Sequence, residues 1–447
     1  MLLLSSRKDL QAVLGRYATN TLKHINTVKS FSNRISRWIL GRGMEIEKML
    51  DIKERAKEEK FAALEEELAE VLKTSLNGLM ELDEFLDGLE KLAFTSLHVF
   101  RENNNMLHLP PGISLDLVQD IITAAQQTCP LRLVFMLDTD DFFVPQQQNL
   151  EVLCFQLNKY MIISQLMCDK MEKSSFSDWR PPRSTETNVE LPVDLSEDDI
   201  QEMLTHIKQL HSIRLNQNLR IAFMFQDDLS STFLQEFDER RDRMLEFLDK
   251  LDESTGQMDK MHKGSKISSI AGSSVGAAGG VMTIVGLALS PVTAGVSLGL
   301  TIAGIGLGVT SGVNSLVTTL TEGAKGASKL AFDIPDIGQA AARGAAGFAR
   351  AARVGFIALN ALFLGIDIIF IVKDGLSLSK GSQSELVKFF TARAALWRSQ
   401  MRSWEKIYES QKEGQERMKI HLAALDTPFY PGRRSEEESR SLLDPNH

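Results

Sequence analysis

The chain has 447 residues, of which 43% are hydrophobic, and its formal net charge is −9 at pH 7. This length allows two or three domains with a sizeable core, whereas the average composition excludes a protein made mostly of membrane-spanning helices. The charge is uneven, with about −14 in residues 1–260 and +5 in residues 261–447. We expect two functions in one chain and no nucleic-acid partner.

The first residues and the cysteines bear on where the protein resides. The apolar run at the N-terminus ends after Leu4, although a signal peptide needs about 7–15 apolar residues. Cys129, Cys154 and Cys168 form neither a disulfide framework nor a metal-binding spacing. We therefore expect a protein of the cytoplasm or of intracellular membranes.

Residues 44–100 are predicted to form one or two long helices, because apolar residues recur at intervals of three and four. These residues are Phe61, Leu64, Leu68, Val71, Leu72, Leu76, Leu79, Leu82, Leu86 and Leu89. The opposite face is rich in acids, which fits a solvated helix of a bundle and leaves open a surface for a helical protein partner.

Two similar apolar runs, 131–137 and 219–225, each follow a predicted helix, Leu115–Gln127 and Asp198–His211. An internal repeat and chance similarity both remain open. Aspartates follow each run, and we interpret them as helix caps rather than as a divalent-metal site. No cofactor or metal site is predicted anywhere, and no nucleophile–base pattern points to an enzyme.

The sequence predicts three parts and a tail. Residues 1–172 form an acidic helical region of unknown role, and 173–195, which contain Arg180-Pro181-Pro182-Arg183, form a linker. Residues 196–430 form a second helical domain, and 431–447 are a disordered tail. The fold class is all-α: a helical bundle with a long Gly-rich hydrophobic hairpin and an amphipathic C-terminal helix.

The most unusual feature is a neutral segment, residues 267–321, in which 55 consecutive residues carry no charge. Ser290-Pro291 divides it, and proline begins a helix well but is poorly tolerated inside one. Residues 267–320 therefore read as two helices joined by a turn at these two residues. The first, Ile267–Leu289, would span about 35 Å, the thickness of a bilayer core.

Small residues recur every four positions along both predicted helices, which lets two helix backbones approach closely in lipid. They are Gly272, Gly276 and Gly280, then Gly295, Gly299 and Ala303, and then Gly304, Gly308 and Gly312. The first helix has few large apolar residues, so it gains little from insertion. We expect a segment that is buried in a water-soluble fold under some conditions and enters a membrane under others.

A third apolar helix is predicted at 354–372, with a polar stripe formed by Arg353, Asn360, Asp367 and Asp374. An ionisable group within a helix of this length faces a partner or a water path when the helix lies in lipid, and faces solvent when it does not. We expect Asp367 to act as a pH sensor, because burial in lipid favours its neutral form.

The last predicted helix covers residues 384–421 and carries an apolar face made of Phe390, Trp397, Met401, Trp404 and Tyr408. Such a face packs within its own bundle, on a partner helix or in the lipid interface.

Parts of the second half resemble the apolipoprotein L family. The matching stretches are Asp259–Gly264, Ser274–Ala277, Val285–Gly295 and Gly304–Gly308, and the similarity extends over roughly 195–430. The resemblance implies an all-α protein that binds membrane lipids, takes part in lipid transport and can form ion-conducting pores, with oligomerisation in the membrane. It also implies a secreted, lipoprotein-associated protein as the alternative location. Two other functions stay open: a membrane-anchored scaffold that recruits partners through its N-terminal helices, and a soluble lipid carrier.

Overall fold

The computed structural model describes residues 2–56, 64–101, 105–135, 145, 150–224 and 383–431, with single residues and pairs between 234 and 256. Helices make up most of this part of the chain, and two strands of two residues each form its one small sheet. The predicted all-α class is confirmed. The predicted hairpin 267–320, the third helix 354–372 and nearly all of the tail lie outside the described residues.

Three long helices build the N-terminal bundle: α1 (Leu2–Ser32), α2 (Ile35–Arg55) and α3 (Glu65–Ala93). A short 3-10 helix, Leu97–Phe100, follows. α3 packs against both α1 and α2. The predicted apolar spacing is the buried face of α3, which includes Leu68, Leu72, Leu79, Leu82, Leu86 and Leu89. Among the described residues, the helical prediction for 44–100 is confirmed for the end of α2 and the whole of α3, whereas Phe61 lies outside them and the range ends in the 3-10 helix.

A proline-rich turn leads from the 3-10 helix into α4 (Leu115–Thr128). The backbone N–H of Ile113 donates to the Pro110 carbonyl, and Gly112 has a φ of 88°, a conformation that glycine adopts without steric cost. The Ser114 side chain caps α4 by accepting from the Leu117 N–H at 3.1 Å. A 3-10 helix, Cys129–Phe135, and α5 (Leu150–Glu172) complete the bundle.

Residues 173–195, predicted as a linker, lie along α1 and are held there by hydrogen bonds. The Trp179 indole is buried and donates to the Asn26 side chain at 2.8 Å. Thr187 donates to the Gly15 carbonyl at 2.8 Å, and Gln11 donates to the Val189 carbonyl at 3.0 Å. Within this segment, β2 (Asn188–Val189) pairs antiparallel with β1 (Leu107–His108).

Two helices follow the strand pair, α6 (Glu197–Leu215) and α7 (Gln217–Met224), and the last is α8 (Gln383–Asp426). Ser196 caps α6 through the Asp199 N–H at 3.1 Å, and three acids in the first turn favour the positive end of the helix dipole. α6 packs on α1, and α8 packs on α7 and α6. Both sides of residues 173–195 therefore share one hydrophobic core, which includes Leu14, Leu89, Ile207 and Trp404.

Candidate functional site: the base of the neutral segment

The residues predicted to pack and turn the hairpin, and those of the polar stripe, lie outside the described residues. They are Gly272, Gly276, Gly280, Ser290, Pro291, Gly295, Gly299, Ala303, Gly304, Gly308, Gly312, Arg353, Asn360, Asp367 and Asp374. The structure does describe helical residues between 234 and 256 before the neutral segment, and α8 after it. We therefore take as the candidate site the two described stretches on either side of the neutral segment, and we call them its base.

An aromatic contact joins the two flanks of the neutral segment at one point of this base. Phe237 is fully buried, and its ring centroid lies 5.2 Å from that of Tyr408 on α8. The Tyr408 hydroxyl donates to Asp238 Oδ1 at 2.8 Å. An aromatic pair in contact stabilises by about 0.5–1.5 kcal/mol beyond the area it buries, so this contact is a substantial link.

An ion-pair cluster joins the same flanks further along. Arg398 Nη2 donates to Asp249 Oδ1 at 2.9 Å and to Asp252 Oδ2 at 2.6 Å. Both carboxylates are largely exposed, so each pair stabilises by less than about 1 kcal/mol and serves mainly to set the register. Residue numbers rise on one flank as they fall on the other, so the flanks run antiparallel. We call this pairing of residues 237–252 with 398–408 the stem.

The stem pairs the two described stretches that flank residues 257–382, the part of the chain that contains the neutral segment. The chain leaves the stem after its first flank and returns into it through the start of α8. Met401, Trp404 and Tyr408, predicted as an interfacial or partner-binding face, are buried here within the chain itself. The side chains of Phe390 and Trp397 lie outside the description. Contact of this face with lipid or a partner helix stays a prediction, and it would require α8 to separate from its present neighbours.

Buried arginines hold the helices that lead into the stem. The Arg220 guanidinium of α7 donates to the Glu90 carboxylate of α3, and Arg132 Nε lies 3.5 Å from the same carboxylate. Arg220 also donates to the Arg214 carbonyl at 2.6 Å. The glutamate is 3% exposed and Arg220 is 4% exposed, so this cluster is a buried charge network. Removing one member of such a network leaves an uncompensated charge.

A second buried arginine fastens α6 to α1. Arg214 lies 3.8 Å above the Tyr17 ring centroid and donates to the Thr21 hydroxyl at 2.9 Å. Burial lowers the pKa of Arg214 below its ordinary value, with the Tyr17 hydroxyl opposing that shift. Sequence reasoning missed both Arg214 and Arg220. The sequence nevertheless indicated that both are buried, because each is a charged residue between two apolar ones, as in Ile213-Arg214-Leu215 and Leu219-Arg220-Ile221.

Within the described ranges, none of the helices combines the length and the apolar character that crossing a bilayer demands. The neutral segment lies outside these ranges and has the length and the uncharged composition that a membrane-spanning segment requires.

Comparison with known protein families concerns the part of the chain from β2 through the neutral segment. Residues 187–332 match the family model described as Apolipoprotein L. Apolipoprotein L3 from Homo sapiens is 42% identical over 90 residues, which are 20% of this chain and 22% of that protein. The match thus spans less than a quarter of the length of this relative. No solved structure matches the chain. The matched segment is less than half of the chain; it begins just before β2, includes α6 and α7 and covers the whole neutral segment, and over these residues the chain is similar to the apolipoprotein L family.

Proposed function

We propose that the chain is a lipid-binding protein that inserts residues 267–320 into a membrane as a hairpin when conditions favour it. The observation that carries this proposal is the position of the 55 uncharged residues between two flanks that pair with each other. A segment that leaves and re-enters at one base has both ends on one side of a membrane. It can therefore enter by its tip without moving a charged flank through lipid.

The charges around the segment support this direction of entry. Lys263 and Lys266 precede the segment, Lys325 and Lys329 follow it, and the turn at Ser290-Pro291 is neutral. A lysine at the centre of a bilayer costs about 2.5–3.5 kcal/mol on insertion scales, whereas lysines at helix ends reach the headgroups. The neutral tip therefore enters first, and the lysines stay at the surface.

The stem lowers the entropic cost of forming the hairpin. Bringing together the ends of a long flexible loop costs a free energy that grows with the logarithm of its length. The Phe237–Tyr408 contact and the Arg398 ion pairs hold the two flanks together within the folded body. Part of the ordering that the inserted hairpin needs is then already present before the segment meets a bilayer.

Pore formation and lipid transport are finer proposals that rest on the sequence and on the similarity to the apolipoprotein L family. The stripe of Arg353, Asn360, Asp367 and Asp374 would line a water path if 354–372 joined the hairpin in the membrane. Three spanning helices would place α8 on the far side of the bilayer, so this pore state requires the stem to open, whereas insertion of the hairpin alone does not. Conductance across planar bilayers distinguishes a pore from a membrane-anchored scaffold. Extraction of bound protein with alkaline carbonate distinguishes both from a soluble lipid carrier that never spans a bilayer.

Flotation with liposomes tests the central proposal. Full-length protein is expected to float with vesicles, and a variant in which a short Gly-Ser linker replaces residues 267–320 is expected to lose more than about tenfold of its bound fraction. The reason is that the deletion removes the neutral segment and leaves the stem closed. Equal flotation of the two proteins would contradict the proposal and assign lipid binding to the helical body. The helix content and unfolding midpoint of the deletion variant, compared with those of the full chain, control for misfolding.

A second test concerns the trigger. If Asp367 enters the membrane, its neutral form is favoured there, so acidification promotes insertion. Asp367→Asn is expected to make dye release from vesicles less dependent on pH, by roughly tenfold between pH 7 and pH 5. Asp374→Asn is the matched control, because Asp374 lies on the same helix face but beyond the apolar stretch. A wild-type pH profile in the Asp367 variant would rule out this residue as the sensor.

A further inference from the structure

The C-terminal end of α8 is held on the N-terminal bundle, far from the stem. We define the latch as Ala424, Leu425, Phe429 and Tyr430. The His206 imidazole of α6 donates from Nε2 to the Ala424 carbonyl at 2.8 Å, and the Ser96 hydroxyl donates to the Leu425 carbonyl at 2.8 Å. These two bonds satisfy carbonyls at the end of a helix, which have no partner within the helix itself.

Two aromatic residues complete the latch. Phe429 is 3% exposed, and its ring centroid lies 5.5 Å from that of His206 and 4.9 Å from that of Tyr430. The Tyr430 hydroxyl donates to the Val99 carbonyl at 2.8 Å, and burial raises the pKa of this phenol. A buried phenylalanine and a partly buried tyrosine, whose hydroxyl has a hydrogen-bond acceptor, make the latch a specific docking contact, because each side chain has a defined site.

The latch is physically continuous with the contact between α1 and α6. Ser96, which binds the latch through its hydroxyl, donates its backbone N–H to the Tyr17 hydroxyl at 3.2 Å. The ring of the same tyrosine underlies Arg214. The end of α8 is thus joined through Ser96 and Tyr17 to the centre of the folded body, so its release would disturb contacts within the bundle.

α8 has 44 residues and a length of about 66 Å, with the stem along one part and the latch at its end. Its described apolar residues, among them Met401 and Trp404, are buried within the chain. The same face cannot pack there and lie in a membrane interface at once. A contact that holds α8 on the bundle therefore opposes any membrane-bound state in which α8 moves away.

We propose that the latch is an autoinhibitory contact: while Phe429 and Tyr430 are docked, α8 stays on the bundle, and its buried apolar face, which includes Met401 and Trp404, is withheld from the membrane. The inference rests on the proposed function, because it concerns the regulation of the same membrane binding. A conformational equilibrium shifts only by the free-energy difference that a contact makes between the two states, and here the latch contacts exist in the closed state alone. Weakening them therefore favours membrane binding.

The test combines two latch variants with one control. The double variant, Phe429→Ala with Tyr430→Phe, empties the phenylalanine site and removes the tyrosine hydroxyl. The single variant Tyr430→Phe removes only the hydrogen bond to Val99. It keeps the aromatic packing, so it still tests the latch if the double variant misfolds. Thr427→Ala is the control, because Thr427 is exposed and its hydroxyl donates only to the Ala423 carbonyl of its own turn. The lipid concentration for half-maximal flotation is measured with vesicles of phosphatidylcholine and phosphatidylserine, alongside hydrogen exchange in 96–100 and 424–430 without lipid.

The double variant is expected to bind at a lipid concentration roughly tenfold lower than the wild type, and Tyr430→Phe at one roughly threefold lower, with faster exchange in both segments. The control should match the wild type. If hydrogen exchange becomes faster but vesicle binding is unchanged, the latch proposal is overturned and the proposed function stands. Unchanged hydrogen exchange in the double variant has the same consequence. Failure of all proteins to bind vesicles contradicts the proposed function and the latch together.

Discussion

Replacing Glu90 by glutamine is expected to lower the free energy of unfolding by about 3–5 kcal/mol, because it removes the buried carboxylate that faces Arg220 and Arg132. The carboxylates that remain near these two arginines, Asp87 at 3.9 Å and Asp83 at 3.8 Å, are exposed and compensate weakly. The Glu90 carboxylate accepts from Arg220 and lies 3.5 Å from Arg132 Nε. Glutamine keeps the shape but not the charge. The loss is the desolvation of guanidinium groups that water cannot reach, and it falls on the contact between α3 and α7 that positions the stem.

Urea unfolding measures this effect, and Asp83→Asn is the control. Asp83 also contacts Arg132, at 3.8 Å, but its side chain is 75% exposed, so its removal should cost less than about 1 kcal/mol. A double variant, Glu90→Gln with Arg220→Met, should recover part of the loss, because both charges are then removed and the methionine fills the space. If the two single variants at Glu90 and Asp83 lose the same stability, the network is not buried in solution.

Local patterns predicted four of the eight described α-helices, α3, α4, α6 and α8, and the end of α2, but not α1, α5 or α7. The three- and four-residue spacing of leucines located the buried face of α3, and Pro110-Pro111-Gly112 located a turn. α4, predicted as Leu115–Gln127, is Leu115–Thr128, and α6, predicted as Asp198–His211, is Glu197–Leu215. These elements depend on apolar periodicity and on caps within a few residues, which are both readable from a short window of sequence.

Elements that depend on distant contacts were beyond such reasoning. The similar runs 131–137 and 219–225 adopt different structures: the described part of the first is a 3-10 helix, whereas the second lies mostly in α7. Pro130 precedes the first run and lacks the N–H that an α-helix would use. The polar composition of 173–195 indicated a linker, but Arg7 and Gln11 of α1 donate to its backbone carbonyls, and no local pattern shows those partners.

The candidate site, too, has one part that the sequence predicts and one part that depends on distant contacts. An absence of charge is a property of consecutive residues, so sequence alone identified the neutral segment. The stem joins residues about 150–170 positions apart, such as Asp249 with Arg398 and Asp238 with Tyr408. Charged and aromatic residues are frequent on both flanks, so many registers satisfy composition alone. Packing in three dimensions selects one of them.

Lowering the pH from 7.5 to 4.5 is expected to destabilise the folded body partly through one half-buried histidine, His24 of α1. Its pKa is lowered from 6.5 to about 4, chiefly by burial and then by the charges of Arg214, Lys91 and Arg220, against the opposing charge of Asp87. The folded state therefore binds this proton less readily than the unfolded state. Stability is unaffected above pH 6.5 and is lost as the pH falls toward 4, by about 3 kcal/mol in all.

Comparison of wild type with His24→Gln isolates this contribution, because glutamine is polar but does not titrate. Between pH 7.5 and pH 4.5 the variant should lose about 2–3 kcal/mol less unfolding free energy than the wild type. Lys23→Gln, an exposed change on the same helix, controls for the altered net charge and should follow the wild type. Parallel pH profiles for wild type and His24→Gln would mean that this histidine takes up its proton in the folded state. The contact of α1 with α3, α6 and α7 would then have to be open enough to admit water.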